Sequence, residues 1–145
     1  MVQLITRKEY HAKTWKKVYG QDDCPFCDFS GRKEDKSIQW EWKYWYILHN
    51  TGSYSWDQDH LMAVPYRHVP FTYELSQEEV SELHEIYAYM KTYFWEKQYF
   101  SFNRESMWNR SVEHLHIQFC VWRLQWKYIR NMLMNQWFPI EEYLD

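Results

Sequence analysis

Residues 113–119, Glu113-His114-Leu115-His116-Ile117-Gln118-Phe119, decide how this chain is read. Alternate residues of an extended strand face the same way. His114, His116 and Gln118 would therefore line one face, while Leu115, Ile117 and Phe119 would turn the other way into a core. A lone histidine in such a run is most simply part of a solvated strand face. Two imidazoles and a carboxamide in register, backed by three apolar residues, instead fit an active site mounted on a sheet, where rigid positions hold reacting groups in place.

The flanking sequence supplies that sheet. The run belongs to SVEHLHIQFCVW (111–122), and YFSFN (99–103) reads as a second strand. HLMAVPY (60–66) is a short apolar strand closed by Pro65. In SIQWEWKYWYILHN (37–50), Ile38, Trp40, Trp42, Tyr44, Tyr46 and Leu48 alternate with a mostly polar set, the period of two expected of strands. The stretch is long for one strand, so a tight turn near Glu41–Lys43 predicts a hairpin. Residues 50–59 read as loop. Ser76-Gln77-Glu78-Glu79 is a capping-box signature and opens the clearest helix, with Val80, Leu83, Tyr87, Met90 and Phe94 as its apolar stripe. Residues 7–19 read as a short amphipathic helix, 21–36 as turn-like, and 122–145 as a C-terminal helical extension that stops near Pro139. Strands that follow one another without intervening helices predict an α+β domain, a mainly antiparallel sheet with helices packed on it.

The composition narrows the function. The 145 residues have the length of one domain, and 1–145 shows no repeat or composition break. Hydrophobic residues at 46% and charged residues at 26% exclude a mainly disordered chain. A net charge of −3 argues against general nucleic-acid binding but leaves room for a small anionic ligand held by a local donor cluster. Only three glycines occur, at 20, 31 and 52, which removes every glycine-rich phosphate loop from consideration. The 21% of aromatic residues predict a bulky core with a partly aromatic surface rather than a stacking platform, Trp40–Tyr46 included. No segment approaches the roughly 18 apolar residues of a membrane span, and the first residues lack a signal-peptide core. The odd cysteine count suits a reducing compartment, so the expected location is the cytoplasm.

Cys24-x-x-Cys27 is the second signal. The spacing serves a zinc site, a redox dithiol or an unmetallated pair. The redox form normally opens a helix after a strand, and here the pair sits in a loop. Zinc would need two further ligands, commonly histidine, and seven are available: His11, His49, His60, His68, His84, His114 and His116. Cys120 reads as a small buried apolar residue.

Taken in order, CPFC, HLMAVPYRHV, the helix and NRESMWNRSVEHLHIQF resemble the histidine triad superfamily of nucleotidyl hydrolases and transferases. The likeness runs from Cys24 to Gln118 and implies a single domain with the histidine triad (HIT-like) fold. The third position of the motif is Gln118 rather than His, the form found in galactose-1-phosphate uridylyltransferase and in dinucleoside-polyphosphate phosphorylases. The resemblance implies a structural zinc, one per chain, on Cys24, Cys27, His68 and His114. It implies His116 as the nucleophile that forms a nucleotidyl-histidine, Gln118 as a donor to a phosphoryl oxygen, and His60 as the remote histidine near the phosphate. Asn50 falls near the ribose-binding position, offset by two residues. Asn103 matches a phosphate- or nucleotide-contacting Asn, and Ser111 a phosphate-contacting Ser.

Gln118 cannot supply a proton, so a leaving group that departs readily as an anion suits it better than an amine. The expected activity is transfer or phosphorolysis on a nucleotide phosphoanhydride or nucleotide-sugar. The alternatives are a hydrolase of nucleotide conjugates and a non-catalytic nucleotide-binding module that keeps the zinc scaffold. Residues 104–110, glycine-rich in the family, contain no glycine here. The guanidinium fork of Arg110, or of Arg104, would have to replace backbone donors to phosphate. Homodimers, common in the family, are a further implication. The partner expected is a small nucleotide, with neither nucleic acid nor membrane.

Overall fold

The computed structural model describes residues 24–34, 36–50, 53, 59–105, 112–121 and 126–135. The helix expected over 7–19, the C-terminal stretch beyond Asn135, and Arg110 and Ser111 lie outside them. The elements are helix α1 (Phe29–Glu34), strands β1 (Ile38–Glu41), β2 (Trp45–His49) and β3 (His60–Pro65), a 3-10 turn (Thr72–Glu74), helix α2 (Gln77–Phe94), strands β4 (Tyr99–Phe102) and β5 (Ile117–Val121), and helix α3 (Trp126–Asn135). The five strands form one antiparallel sheet in the order β1-β2-β3-β5-β4, so the α+β expectation holds. No helix among the described residues is long and apolar enough to cross a membrane.

The β1–β2 hairpin forms where the alternation outgrows one strand, although its turn falls at Trp42–Tyr44. This turn contains no glycine. The Glu82 carboxylate, reaching from α2, accepts from the backbone N–H groups of Lys43 (3.0 Å) and Tyr44 (2.7 Å) instead. A helix side chain thus holds two backbone N–H groups of the turn, pinning the hairpin to α2.

The sheet is covered on both faces. Trp45, Ile47, Leu61, Ala63, Leu115, Ile117, Phe119 and Val121 pack on one side with Ile86, Met90 and Phe94 of α2. Tyr46, Leu48, Met62 and Val64 pack on the other with Cys24 and Phe26. The period-of-two reading of β2 and β5 is therefore correct and β3 is the apolar strand expected, with both faces of the sheet covered. His60 and Gln118 are buried on the side of Met62.

Three expectations need correction. Residues 29–34, read as turn, fold as α1. On α2, Val80 and Tyr87 are exposed, and the inward stripe is Ile86, Met90 and Phe94 with Leu83 beside it. The predicted spacing followed the apolar residues one step around the helix from its true face. Finally, β5 begins at Ile117, not at Ser111. His114 lies in a bend and His116 just before the strand. The capping box is present as read: Ser76 Oγ accepts from Glu79 N (3.2 Å), and Ser76 N donates to Glu79 Oε1 (2.8 Å).

Candidate active site and metal centre

The turn Cys24–Asp28 is closed by Cys27 N–H and Asp28 N–H donating to Cys24 O, at 3.1 and 3.3 Å. It is tied to the sheet by Tyr46, whose hydroxyl donates to Phe26 O at 2.6 Å. That anchoring brings both sulfurs against two histidines from distant parts of the chain. Cys24 Sγ and Cys27 Sγ each lie 3.5 Å from His114 Nδ1, Cys27 Sγ lies 3.2 Å from His68 Nδ1, and the two Nδ1 atoms are 3.1 Å apart. All four ligand atoms fall within 4.8 Å of one another, and Cys24, Cys27, His68 and His114 could hold a metal ion.

The chemistry of this donor set fits a cation. His114 Nε2 lies 2.8 Å from Pro65 O, a pure acceptor, so Nε2 carries the proton and Nδ1 keeps its lone pair for the cluster. Metal–sulfur bonds of about 2.3 Å and metal–nitrogen bonds of about 2.0–2.1 Å, set tetrahedrally, give ligand–ligand edges of roughly 3.3–3.8 Å. Four of the six edges, at 3.1–3.5 Å, lie close to these, within a cluster whose ligand atoms all fall within 4.8 Å of one another. Burial pushes the Cys27 thiol up to about 12, and the neighbouring Cys24 sulfur adds to this.

The next residues of the motif are organised by the same segment. His116 is buried, with its ring 5.0 Å from that of Phe26. His116 Nδ1 stands 2.8 Å from His114 O. A carbonyl only accepts, so the neutral ring is protonated at Nδ1 and carries its lone pair on Nε2. On the same side of the sheet, the Met62↔Gln118 and His60↔Cys120 pairs of the β3–β5 ladder set Gln118 near His60. Asn50, just beyond β2, lies between them: its Nδ2 donates to Gln118 Oε1 and approaches His60 Nε2, both at 3.4 Å. The Gln118 carbonyl end is thereby occupied, and its Nε2 is the end left to donate.

The structure thus gathers Asn50, His60 and Gln118 in one cluster and the four proposed ligands in another, with His116 following directly on His114. Asn103 sits just past β4, one step beyond the Phe102↔Gln118 pair. Arg110 and Ser111 are outside the described residues. Three participants escaped the sequence reading, Phe26, Tyr46 and the carbonyl of Pro65, while the backbone oxygen that family resemblance leads one to expect behind the His116 ring is that of His114. Only Phe26 carried a signal, an aromatic residue enclosed by the two cysteines. A backbone carbonyl leaves none.

No protein-family profile and no curated protein matches the sequence. Solved structures do. A HIT family hydrolase from Clostridium thermocellum superposes with a TM-score of 0.58 at 18% identity, over 70% of this chain and 91% of that one. A zinc-bound histidine triad family protein from Mycobacterium smegmatis superposes with a TM-score of 0.57 at 14% identity, over 80% and 96%. A uridylyltransferase gives a TM-score of 0.54 at 18% identity over 79% of this chain and 35% of its own. The chain has the histidine triad fold.

Proposed function

We propose that the chain is a nucleotidyltransferase or phosphorylase that acts on a nucleotide phosphoanhydride or nucleotide-sugar through a covalent nucleotidyl-His116. The observation that carries this reading is the His116 Nδ1 to His114 O contact of 2.8 Å, which puts the proton of the neutral ring on Nδ1 and its lone pair on Nε2. The solved structures named above, a hydrolase and a uridylyltransferase among them, share this fold, which supports the reading.

In the first step His116 Nε2 attacks the α-phosphorus. A P–N bond forms, and the P–O bond to the leaving group breaks with its electron pair on that oxygen. In the second, an oxygen of inorganic phosphate or of a phosphate ester attacks the same phosphorus and His116 leaves. Gln118 donates from Nε2 to a phosphoryl oxygen but has no proton to give, which favours leaving groups that depart as anions. Asn50 fixes Gln118, and His60 stands behind Asn50 at the phosphate end. Ser111 and Arg110 are proposed phosphate contacts. A zinc ion on Cys24, Cys27, His68 and His114, with every coordination position filled by protein, would be structural: it locks the CPFC turn onto the segment that carries His116.

The test is incubation with a labelled dinucleoside polyphosphate or nucleotide-sugar, followed by acid. An acid-labile adduct that disappears in His116→Ala supports the proposal. A folded protein that forms no adduct with any nucleotide overturns it. Product analysis with and without added phosphate separates phosphorolysis from hydrolysis.

A further inference from the structure

The buried side chains of Asn50, His60 and Gln118 carry a direction as well as a position. Asn50 N–H donates to His60 O at 2.8 Å, which fixes the residue just past β2 against β3. Its side-chain NH₂ holds two hydrogens, and two groups stand 3.4 Å from Nδ2, Gln118 Oε1 and His60 Nε2. An amide nitrogen only donates, so Gln118 turns its carbonyl oxygen toward Asn50 and keeps its own nitrogen for another acceptor.

The terminal torsion of a glutamine is broad and roughly two-fold, so the backbone of β5 alone does not choose which end of the carboxamide faces the site. The chemistry accepts only one end. An amide N–H stabilises a phosphoryl oxygen, and an amide oxygen repels it. The residue that touches the other end of the carboxamide therefore decides whether Gln118 helps or hinders. Asparagine can donate there. A carboxylate of nearly the same shape can only accept, and would draw Gln118 Nε2 to itself.

We infer that Asn50 is a positioning residue that sets the direction of the Gln118 carboxamide, rather than the sugar contact its place in the chain suggests, so that Asn50 and Gln118 act as a matched pair. This rests on the proposed nucleotide chemistry of His116 and Gln118.

Single-turnover formation of the His116 adduct from a labelled dinucleoside polyphosphate, at saturating substrate and on the full chain, tests it. Asn50→Ala leaves the carboxamide to turn and should slow the step by about two- to tenfold, the worth of one neutral hydrogen bond. Asn50→Asp should bring the amide oxygen onto the substrate and slow it by about 10²–10³-fold, as loss of an oxyanion donor does. That order is diagnostic. A sugar hydroxyl can donate to a carboxylate, so a sugar contact would survive Asn50→Asp better than Asn50→Ala. Adding Gln118→His to Asn50→Asp should recover at least about tenfold, since an imidazole N–H can face the carboxylate, and the two effects are then non-additive. Calorimetry with a ribonucleoside monophosphate and its 2′,3′-dideoxy form gives a readout independent of turnover: the ratio of the two affinities should be the same in wild type and in Asn50→Ala. A faster adduct in Asn50→Asp than in Asn50→Ala, no recovery in the double variant, or a ratio that collapses in Asn50→Ala overturns the inference and leaves the nucleotide reading standing. A folded wild type that forms no adduct removes both.

Discussion

Arg67 precedes the proposed ligand His68 and ties that segment to α2, so its removal tests how the site is braced. The guanidinium donates to Glu79 Oε1 from Nε (3.3 Å) and from Nη2 (2.7 Å), and to Glu74 O from Nη2 (2.7 Å). Glu79 is only 3% exposed, and its backbone carbonyl also accepts from Trp45 Nε1 at 2.9 Å. Hydrogen bonds to charged groups contribute about 1.5–3 kcal/mol each when shielded. The Arg67 side chain is 53% exposed, so solvent screens the pair. After that discount Arg67→Ala should cost about 1–2 kcal/mol, a fall of roughly 3–6 °C in Tm for a chain of this length. The pH dependence identifies the cause. Burial alone would raise the Glu79 carboxyl, but hydrogen bonds from Arg67 and then Ser76, with the Arg67 charge, hold it below its ordinary value. A carboxyl lowered in the folded state stabilises fully above its unfolded value of about 4.3, and this is lost as pH falls through the lower folded value. Urea unfolding of wild type and Arg67→Ala should therefore differ most near neutral pH and converge as pH falls below the lowered folded-state value of Glu79. A gap that is the same at both would show that Arg67 acts by packing, and the electrostatic reasoning would be wrong.

Other outcomes are as specific. Gln118→His should raise turnover on substrates with poor leaving groups by at least about tenfold, because the third position can then supply a proton; an unchanged product profile would remove the proton argument. Cys27→Ser should lower bound zinc, measured by elemental analysis, from about one per chain to well below that, and lower the thermal midpoint, since metal binding to the folded state adds to folding free energy. Trp95 ends α2 with φ of 52° and is 71% exposed. A left-handed backbone disfavours a side chain, so Trp95→Gly should stabilise the protein by up to about 1 kcal/mol in denaturant titration; destabilisation would contradict it.

What the sequence disclosed, and what it hid, follows from where each property is encoded. The hairpin, β3, β4 and the capping box were legible because side-chain period and cap chemistry are local. The Cys24, Cys27, His68 and His114 grouping was available only through resemblance, since spacing alone left seven histidines as candidates. The α2 face was misassigned because Val80 and Tyr87 have the character of core residues yet point outward, while Glu79 is buried by Arg67, a partner twelve residues earlier in the chain. The alternation of β5 was right for side chains and wrong for its first residues, because a bend changes backbone pairing without changing which side chains are apolar.

That last misreading leads to the chemistry. Had the strand continued through His114, the carbonyl of that residue would have been directed into the ladder, as strand carbonyls are. The bend turns it onto the ring two residues ahead, at 2.8 Å from His116 Nδ1. The His114 side chain meanwhile is held by Pro65 O at Nε2 and by the two sulfurs and His68 around Nδ1. One residue therefore joins the candidate metal cluster through its ring and sets the tautomer of the proposed nucleophile through its backbone. On the proposed function, a cation held by this cluster would matter to reactivity without touching substrate, because fixing the His114 ring would also steady the carbonyl that faces His116 Nδ1.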